Sequence, residues 1–263
     1  MTRIRMKTII ANWKMNVGVR ESVALARGTL LTLRGRKHIP ELVICPPFVA
    51  LSEVRKIVAR SAAALGAQNV FWAESGSYTG EVSARMLEEL GVTHVIIGHS
   101  ERRQFLSETD EMVNKKTYHA LASGLTPIVC VGEGRAERRA GTAQEVVGEQ
   151  LKRALSGVRL RASDHLLIAY EPVWAIGTGE PASVSEMLPM HAFIRSLVQE
   201  LLGPHGASQT RVLYGGSVNG ENAYAFLREE EVDGVLVGSA SVKINQFKDI
   251  VHAACEVLEA QTL

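Results

Sequence analysis

Cysteine is scarce: Cys45, Cys130 and Cys255 are the only three, and no Cys-x-x-Cys pair occurs. An odd, widely spaced set indicates neither a disulfide framework nor a zinc-finger ligand set, and it fits a reducing cytoplasm. An excess of either charge is also lacking. Lys+Arg number 29 against 28 Asp+Glu, a net charge of +1, so no field draws the chain to nucleic acid or to an anionic membrane. No run approaches the roughly 18 apolar residues that span a bilayer. The opening MTRIRMKTIIANWKMN breaks its apolar run at Asn12 and Lys14, too early for a signal-peptide core. Low-complexity stretches and linker-like composition are missing, which points to one domain over residues 1–263. Aromatic residues make up only 5%, but 46% hydrophobic and 22% charged residues are the composition of a folded soluble protein.

What is present is a regular alternation. Short β-branched runs recur at Thr8-Ile9-Ile10, Leu42-Val43-Ile44, Val95-Ile96-Ile97, Ile128-Val129-Cys130-Val131, Leu166-Leu167-Ile168, Val212-Leu213-Tyr214 and Val235-Leu236-Val237. Continuous apolar runs of this length read as strands buried on both faces. The weaker Ala64-Leu65-Gly66-Ala67 supplies an eighth. Between them lie stretches of helical spacing, such as Val146, Val147, Leu151 and Leu155, or Phe193, Ile194, Leu197, Val198 and Leu201. Eight strand-helix units of about 33 residues fill the chain. An open doubly wound sheet and a closed (β/α)8 barrel both alternate in this way, and the number eight with the length favours the α/β barrel. The open sheet also calls for a glycine fingerprint after the first strand, where this chain has Asn12-Trp13-Lys14-Met15-Asn16. The one G-x-G-x-x-[GA] match, Gly177 to Ala182, has Pro181 where a helix should be under way, which argues against a dinucleotide site.

Barrels of this kind build their sites at the C-terminal ends of the strands, and polar residues collect there in this chain. Glu171 directly follows an apolar strand, where a carboxylate serves either as a general base or as a salt-bridged strand end. His99 closes another strand. A lone His there is commonly a hydrogen-bonded packing residue, but Ser100 can cap a short helix through Glu101-Arg102-Arg103, and a helix N-terminus disfavours imidazolium. Lys14, beside Trp13, is either a solubilising lysine or a cation facing an anionic ligand. Gly215-Gly216-Ser217 and Gly238-Ser239 are tight turns or, at the strands where barrels often keep a phosphate, a backbone cradle for one. Pro172-Val173-Trp174-Ala175-Ile176-Gly177-Thr178-Gly179 is apolar yet bounded by proline and glycines, the make-up of a covering loop or of a packed one.

Taken together, ANWKMN, GHSERR, YEPVWAIGTG, YGGSV and DGVLVGSAS, in that order from residue 11 to residue 241, resemble the triosephosphate isomerase family. GAQNV and ESGSYTGEVS resemble the interface loop of the same family. The resemblance implies a glycolytic and gluconeogenic isomerase. It would interconvert dihydroxyacetone phosphate and glyceraldehyde 3-phosphate through an enediolate, with no cofactor and no metal. It implies Glu171 as the base, His99 as a neutral electrophile, Lys14 and Asn12 as groups that polarise and position substrate, and Glu101 as a carboxylate supporting the lysine. Gly177, Ser217, Gly238 and Ser239 fall on phosphate-contacting positions. The segment EPVWAIGTG, Glu171 to Gly179, matches the family's lid, whose closure would keep water from the enediolate. Thr79 resembles the tip of a loop that enters a neighbouring subunit beside the partner subunit's Lys14 and His99, so a homodimer is implied.

Two positions depart from the family. Ser239 stands where a second glycine is usual, leaving the backbone donor but adding a Cβ, and Pro181 at the end of the covering loop is expected to stiffen it. Two rival readings remain at this stage. A four-carbon ketose phosphate isomerase would use the same chemistry in a roomier site. A binding barrel without turnover would have been favoured by loss of Glu171, His99 or Lys14, all of which are present.

Overall fold

A computed structural model describes residues 6–176 and 181–262. Eight parallel strands close into one barrel in sequence order, β1 (Thr8–Asn12), β2 (Glu41–Cys45), β3 (Ala63–Ala67), β4 (His94–Ile97), β5 (Thr126–Val131), β6 (Leu166–Tyr170), β7 (Thr210–Tyr214) and β8 (Gly234–Val237), with β8 pairing back onto β1. Among the described residues ten helices surround it: α1 (Val19–Leu31), α2 (Leu51–Val58), α3 (Ala84–Glu89), α4 (Ser100–Leu106), α5 (Asp110–Ala122), α6 (Arg135–Ala140), α7 (Ala143–Ala154), α8 (Val184–Ser208), α9 (Ala223–Leu227) and α10 (Ile244–Ala260). Each of the eight apolar runs of the sequence is one of these strands.

The continuous apolar character of the strands has a direct cause in the period of two. One parity faces the helices: Ile9, Ile44, Val95, Val129, Ile168 and Val235 belong to the large buried cluster shared with helical side chains such as Val147, Ile194 and Phe247. The other parity faces inward, where Ile10, Val43, Ile96, Ile128, Leu167, Leu213 and Leu236 form a separate buried cluster. Both faces are dry, so alternation of polarity would leave buried polar groups without partners. Burying a side chain of this size stabilises by about 1.5–3 kcal/mol, and the two concentric clusters thus hold barrel and helices together.

Polar residues enter the inward rows only at the two ends. Following β1 inward gives Thr8, Ile10, Asn12; following β6 gives Leu167, Ala169, Glu171. At the N-terminal end Thr8, Glu41, His94 and Arg211 bond to one another, with Arg211 Nη1 donating to Thr8 Oγ1 at 2.7 Å and to Glu41 Oε2, and Thr8 Oγ1 donating to Glu41 Oε2 at 3.0 Å. Among the described residues no helix is long and apolar enough to cross a membrane, and all three cysteines are free and buried.

Candidate active site

The C-terminal mouth brings Asn12, Lys14, His99, Glu101, Glu171, Ser217, Gly238 and Ser239 around one cavity of about 570 Å³. Every described residue singled out from the sequence as a site residue is there. Gly177 lies outside the described residues, as do Thr178, Gly179 and Glu180.

Asn12 ends β1, and its side-chain carbonyl accepts from the Lys14 backbone N–H at 3.1 Å. That bond bends the chain back: Lys14 has φ 52°, one of two non-glycine residues in the left-handed region among those described. Such a backbone costs roughly 1–2 kcal/mol. Gln68 offsets it by donating its amide to the carbonyls of Lys14 at 2.9 Å and Cys45 at 3.0 Å. The ammonium so placed bonds Glu101 Oε1 at 2.5 Å. Gln68 lies in the GAQNV segment but was not a predicted site residue. An amide beside a strand end carries no sequence signal for holding another residue's strained backbone.

Beyond β4, Gly98 takes φ 72°, and a Cβ there would come within 2.8 Å of Val113 Cγ2, so glycine is required for the turn into α4. The cap of that helix differs from expectation. His99, not Ser100, is the N-cap, because its ring Nδ1 reaches the Glu101 N–H at 3.2 Å. An accepting Nδ1 leaves the ring proton on Nε2. Ser100 is the first helical residue, and its backbone N–H donates to Glu171 Oε2 at 2.8 Å.

Glu171 is 2% exposed. Its other oxygen, Oε1, stands 3.0 Å from His99 Nε2. Gly215 packs beside it, and a Cβ at that position would come within 2.9 Å of Glu171 Cγ. The carboxylate, the imidazole N–H and the lysine ammonium thus border one open volume, with a carboxylate oxygen facing the Nε2 donor. Val173, Ile176 and Pro181 form an apolar side of the cavity. Across it, Ser217 Oγ donates to the Ala175 carbonyl at 3.2 Å, and Ser239 opens the 3₁₀ turn Ser239–Val242. Since Lys14 and Ser107 are the only described non-glycine residues with positive φ, the serine at 239 carries no left-handed strain.

Glu133, not foreseen as part of the site, is fully buried beside it. Its Oε1 accepts from Trp174 Nε1 at 2.8 Å and from Tyr170 Oη at 3.1 Å. Burial and the facing Glu133 carboxylate push the Tyr170 phenol far up, so it remains a donor. Glu133 follows β5 in a glycine-flanked segment that reads from sequence as an ordinary turn.

A closed parallel barrel with polar side chains gathered at the C-terminal ends of its strands has the architecture of the barrel enzymes. A family model described as "Triosephosphate isomerase" matches residues 7–254. Similar proteins named triosephosphate isomerase include those of Alkaliphilus oremlandii, 45% identical over 95% of this chain and 100% of the relative, and Thermoanaerobacter pseudethanolicus, 46% identical over the same shares. That of Aquifex aeolicus is 44% identical over 94% of this chain and 99% of its own length. The chain belongs to the triosephosphate isomerase family.

Proposed function

We infer that this chain interconverts dihydroxyacetone phosphate and glyceraldehyde 3-phosphate, and that Glu171, His99, Lys14, Asn12 and Glu101 carry the reaction. Family membership over nearly the whole chain supports the activity. The observation that carries the residue assignment is the facing of Glu171 Oε1 and His99 Nε2 across 3.0 Å at the edge of the cavity. Substrate entering between them replaces that contact. Glu171, released from the Ser100 N–H, takes the proton from the carbon next to the carbonyl and returns one to the adjacent carbon. His99 donates its Nε2–H to the enediolate oxygens, and Lys14 supplies positive charge to the same oxygens and to the phosphate. Asn12 acts by fixing Lys14, and Glu101 by orienting its ammonium. The apolar wall of Val173 and Ile176 keeps water from the intermediate. Gly177, Ser217, Gly238 and Ser239 hold the phosphate. A coupled assay of purified protein with dihydroxyacetone phosphate and with a four-carbon ketose phosphate tests this. Turnover of the triose alone is expected; preference for the larger sugar, or no turnover of either, contradicts it.

The working unit in this reading is a homodimer in the cytoplasm, each chain folded as one domain. Four exposed apolar side chains support the dimer: Met15 (97% exposed), Val49, Tyr78 and Met86, on or just after the loops that follow β1, β2 and β3. Thr79 is exposed at the tip of the third loop, whose base is closed by Phe71 N–H donating to the Val82 carbonyl at 2.8 Å. Exposed apolar side chains gathered near successive loops at one end of the barrel are the make-up of an interface. Replacing Tyr78-Thr79 by a glycine-rich turn is expected to give a poorly active monomer by light scattering. A wild-type protein that is monomeric and fully active contradicts the dimer.

A further inference from the structure

Two arginines of α6 grip the segment that follows Glu171, and neither touches the cavity. The Arg138 guanidinium lies 5.0 Å from the centroid of the Trp174 indole, a cation–π contact, and its Nη2 donates to Glu186 Oε1 at 3.3 Å. Arg135 Nη2 donates to the Trp174 carbonyl at 3.2 Å. Glu186 is itself fixed: it closes the capping box of α8, its Oε2 accepting from the Ser183 N–H at 2.9 Å and from Ser183 Oγ at 2.8 Å. Arg138 therefore ties an aromatic ring in the 3₁₀ turn Val173–Ala175 to the first turn of α8.

We propose that Arg138 is a positioning residue for the isomerisation, holding Trp174 so that Glu171 is presented at a fixed place. The inference rests on Glu171 as the base. The lever is short. Trp174 Nε1 and Tyr170 Oη share Glu133 Oε1, the Val173 N–H donates to the Glu133 carbonyl at 3.1 Å, and Glu171 lies between these anchored residues. A planar guanidinium fits because it stacks on the indole and keeps a donor free for Glu186; lysine has the charge and the reach but not the stacking plane. Loss of the clasp leaves the indole ring held through Glu133 alone, with the stacking cation gone, while the phosphate cradle of Ser217, Gly238 and Ser239 stays in place. The expected signature is therefore a fall in kcat with little change in KM.

The chain contains three tryptophans, Trp13, Trp72 and Trp174, so full-length protein carrying 5-fluorotryptophan has three fluorine resonances, and Trp174→Phe assigns one. Arg138→Ala is expected to shift or broaden the Trp174 resonance alone. It should lower kcat for dihydroxyacetone phosphate about three- to tenfold and leave KM, and competitive inhibition by inorganic phosphate, within about twofold. Arg138→Lys should recover the Glu186 contact but only part of kcat. The proposal is overturned if Arg138→Ala keeps wild-type kcat, if the Trp174 resonance does not move, or if all three resonances move together with a lowered melting temperature. Wild-type turnover by Glu171→Gln would remove the base assignment and with it the catalytic half of the proposal; the Trp174 resonance reports on the clasp separately.

Discussion

Thr8, Glu41, His94 and Arg211 at one end of the barrel take inward-facing strand positions, as Asn12 and Glu171 do at the other. At the N-terminal end the polar atoms are directed at one another. Burial pulls the Glu41 carboxyl up, but Arg211, His94 and the Thr8 hydroxyl outweigh it and hold the group below its ordinary range. Burial pushes the His94 imidazole down, against the pull of Glu41. At the C-terminal end the pairs Lys14–Glu101 and His99–Glu171 border a cavity of about 570 Å³. The contrast teaches that a polar residue on an inward row is no sign of function in itself. What marks the site is polar pairs that face open volume and can exchange partners with a ligand.

The largest separation between the two ends should come from Glu171→Gln. It keeps the shape and the Ser100 N–H contact but removes the base, so turnover is expected to fall by about 10³-fold or more, at the upper range for general base catalysis. Binding of inorganic phosphate and the melting temperature should be retained. Near-normal turnover would show that Glu171 is only a paired strand-end carboxylate, like Glu41. Conversely, Arg211→Met at the other end strips Glu41 and Thr8 of their shared donor, and about 2 kcal/mol of stability should be lost, the scale of a charged hydrogen bond. Urea unfolding reads that loss while kcat/KM stays within about twofold. A catalytic defect larger than the stability defect would mean that the two ends are not independent.

Acid should act through buried histidines away from the cavity. His191 on α8 is fully buried, with Nδ1 3.1 Å from the Glu231 carbonyl, and burial pushes its pKa from 6.5 down to about 4. A neutral native ring and a protonatable unfolded one mean that the unfolded state binds more protons between these values. The stability contributed is therefore complete above pH 6.5 and declines as pH falls toward 4, by about 3 kcal/mol from this group. His94 adds in the same direction. Denaturation midpoints at pH 7 and pH 4.5, with His191→Gln flattening the difference, check the assignment. An unchanged slope in the variant would refute it.

The smallest effect is expected at Ser239. Without left-handed strain to relieve, Ser239→Gly should change substrate affinity by less than about tenfold, or about 1.4 kcal/mol, with kcat near wild type. A large joint gain in affinity and thermal stability would show a strained serine and reopen the four-carbon reading.

All eight strands were legible in the sequence, because burial on both faces leaves an unbroken apolar run. The polar lining of the cavity, the candidate site, was legible because Asn12 and Glu171 interrupt or end such runs. Less visible was who supports whom. Ser and His both present an acceptor at a helix start, and only the turn at Gly98 decides that the His99 ring takes the cap. The left-handed backbone at Lys14 and its support by Gln68 depend on contacts between β1, β2 and β3 that local pattern does not record. Glu133 and Arg138 were missed for the same reason: their partners Trp174 and Glu186 are 41 and 48 residues away along the chain.

The central claim, that the C-terminal mouth moves a proton between adjacent carbons of a triose phosphate with Glu171 as carrier, is tested most directly by turnover of dihydroxyacetone phosphate in deuterium oxide, followed by proton NMR. The account predicts glyceraldehyde 3-phosphate carrying deuterium at the carbon next to its aldehyde, formed by the wild type and lost in Glu171→Gln. Product formed at the wild-type rate by that variant would contradict it.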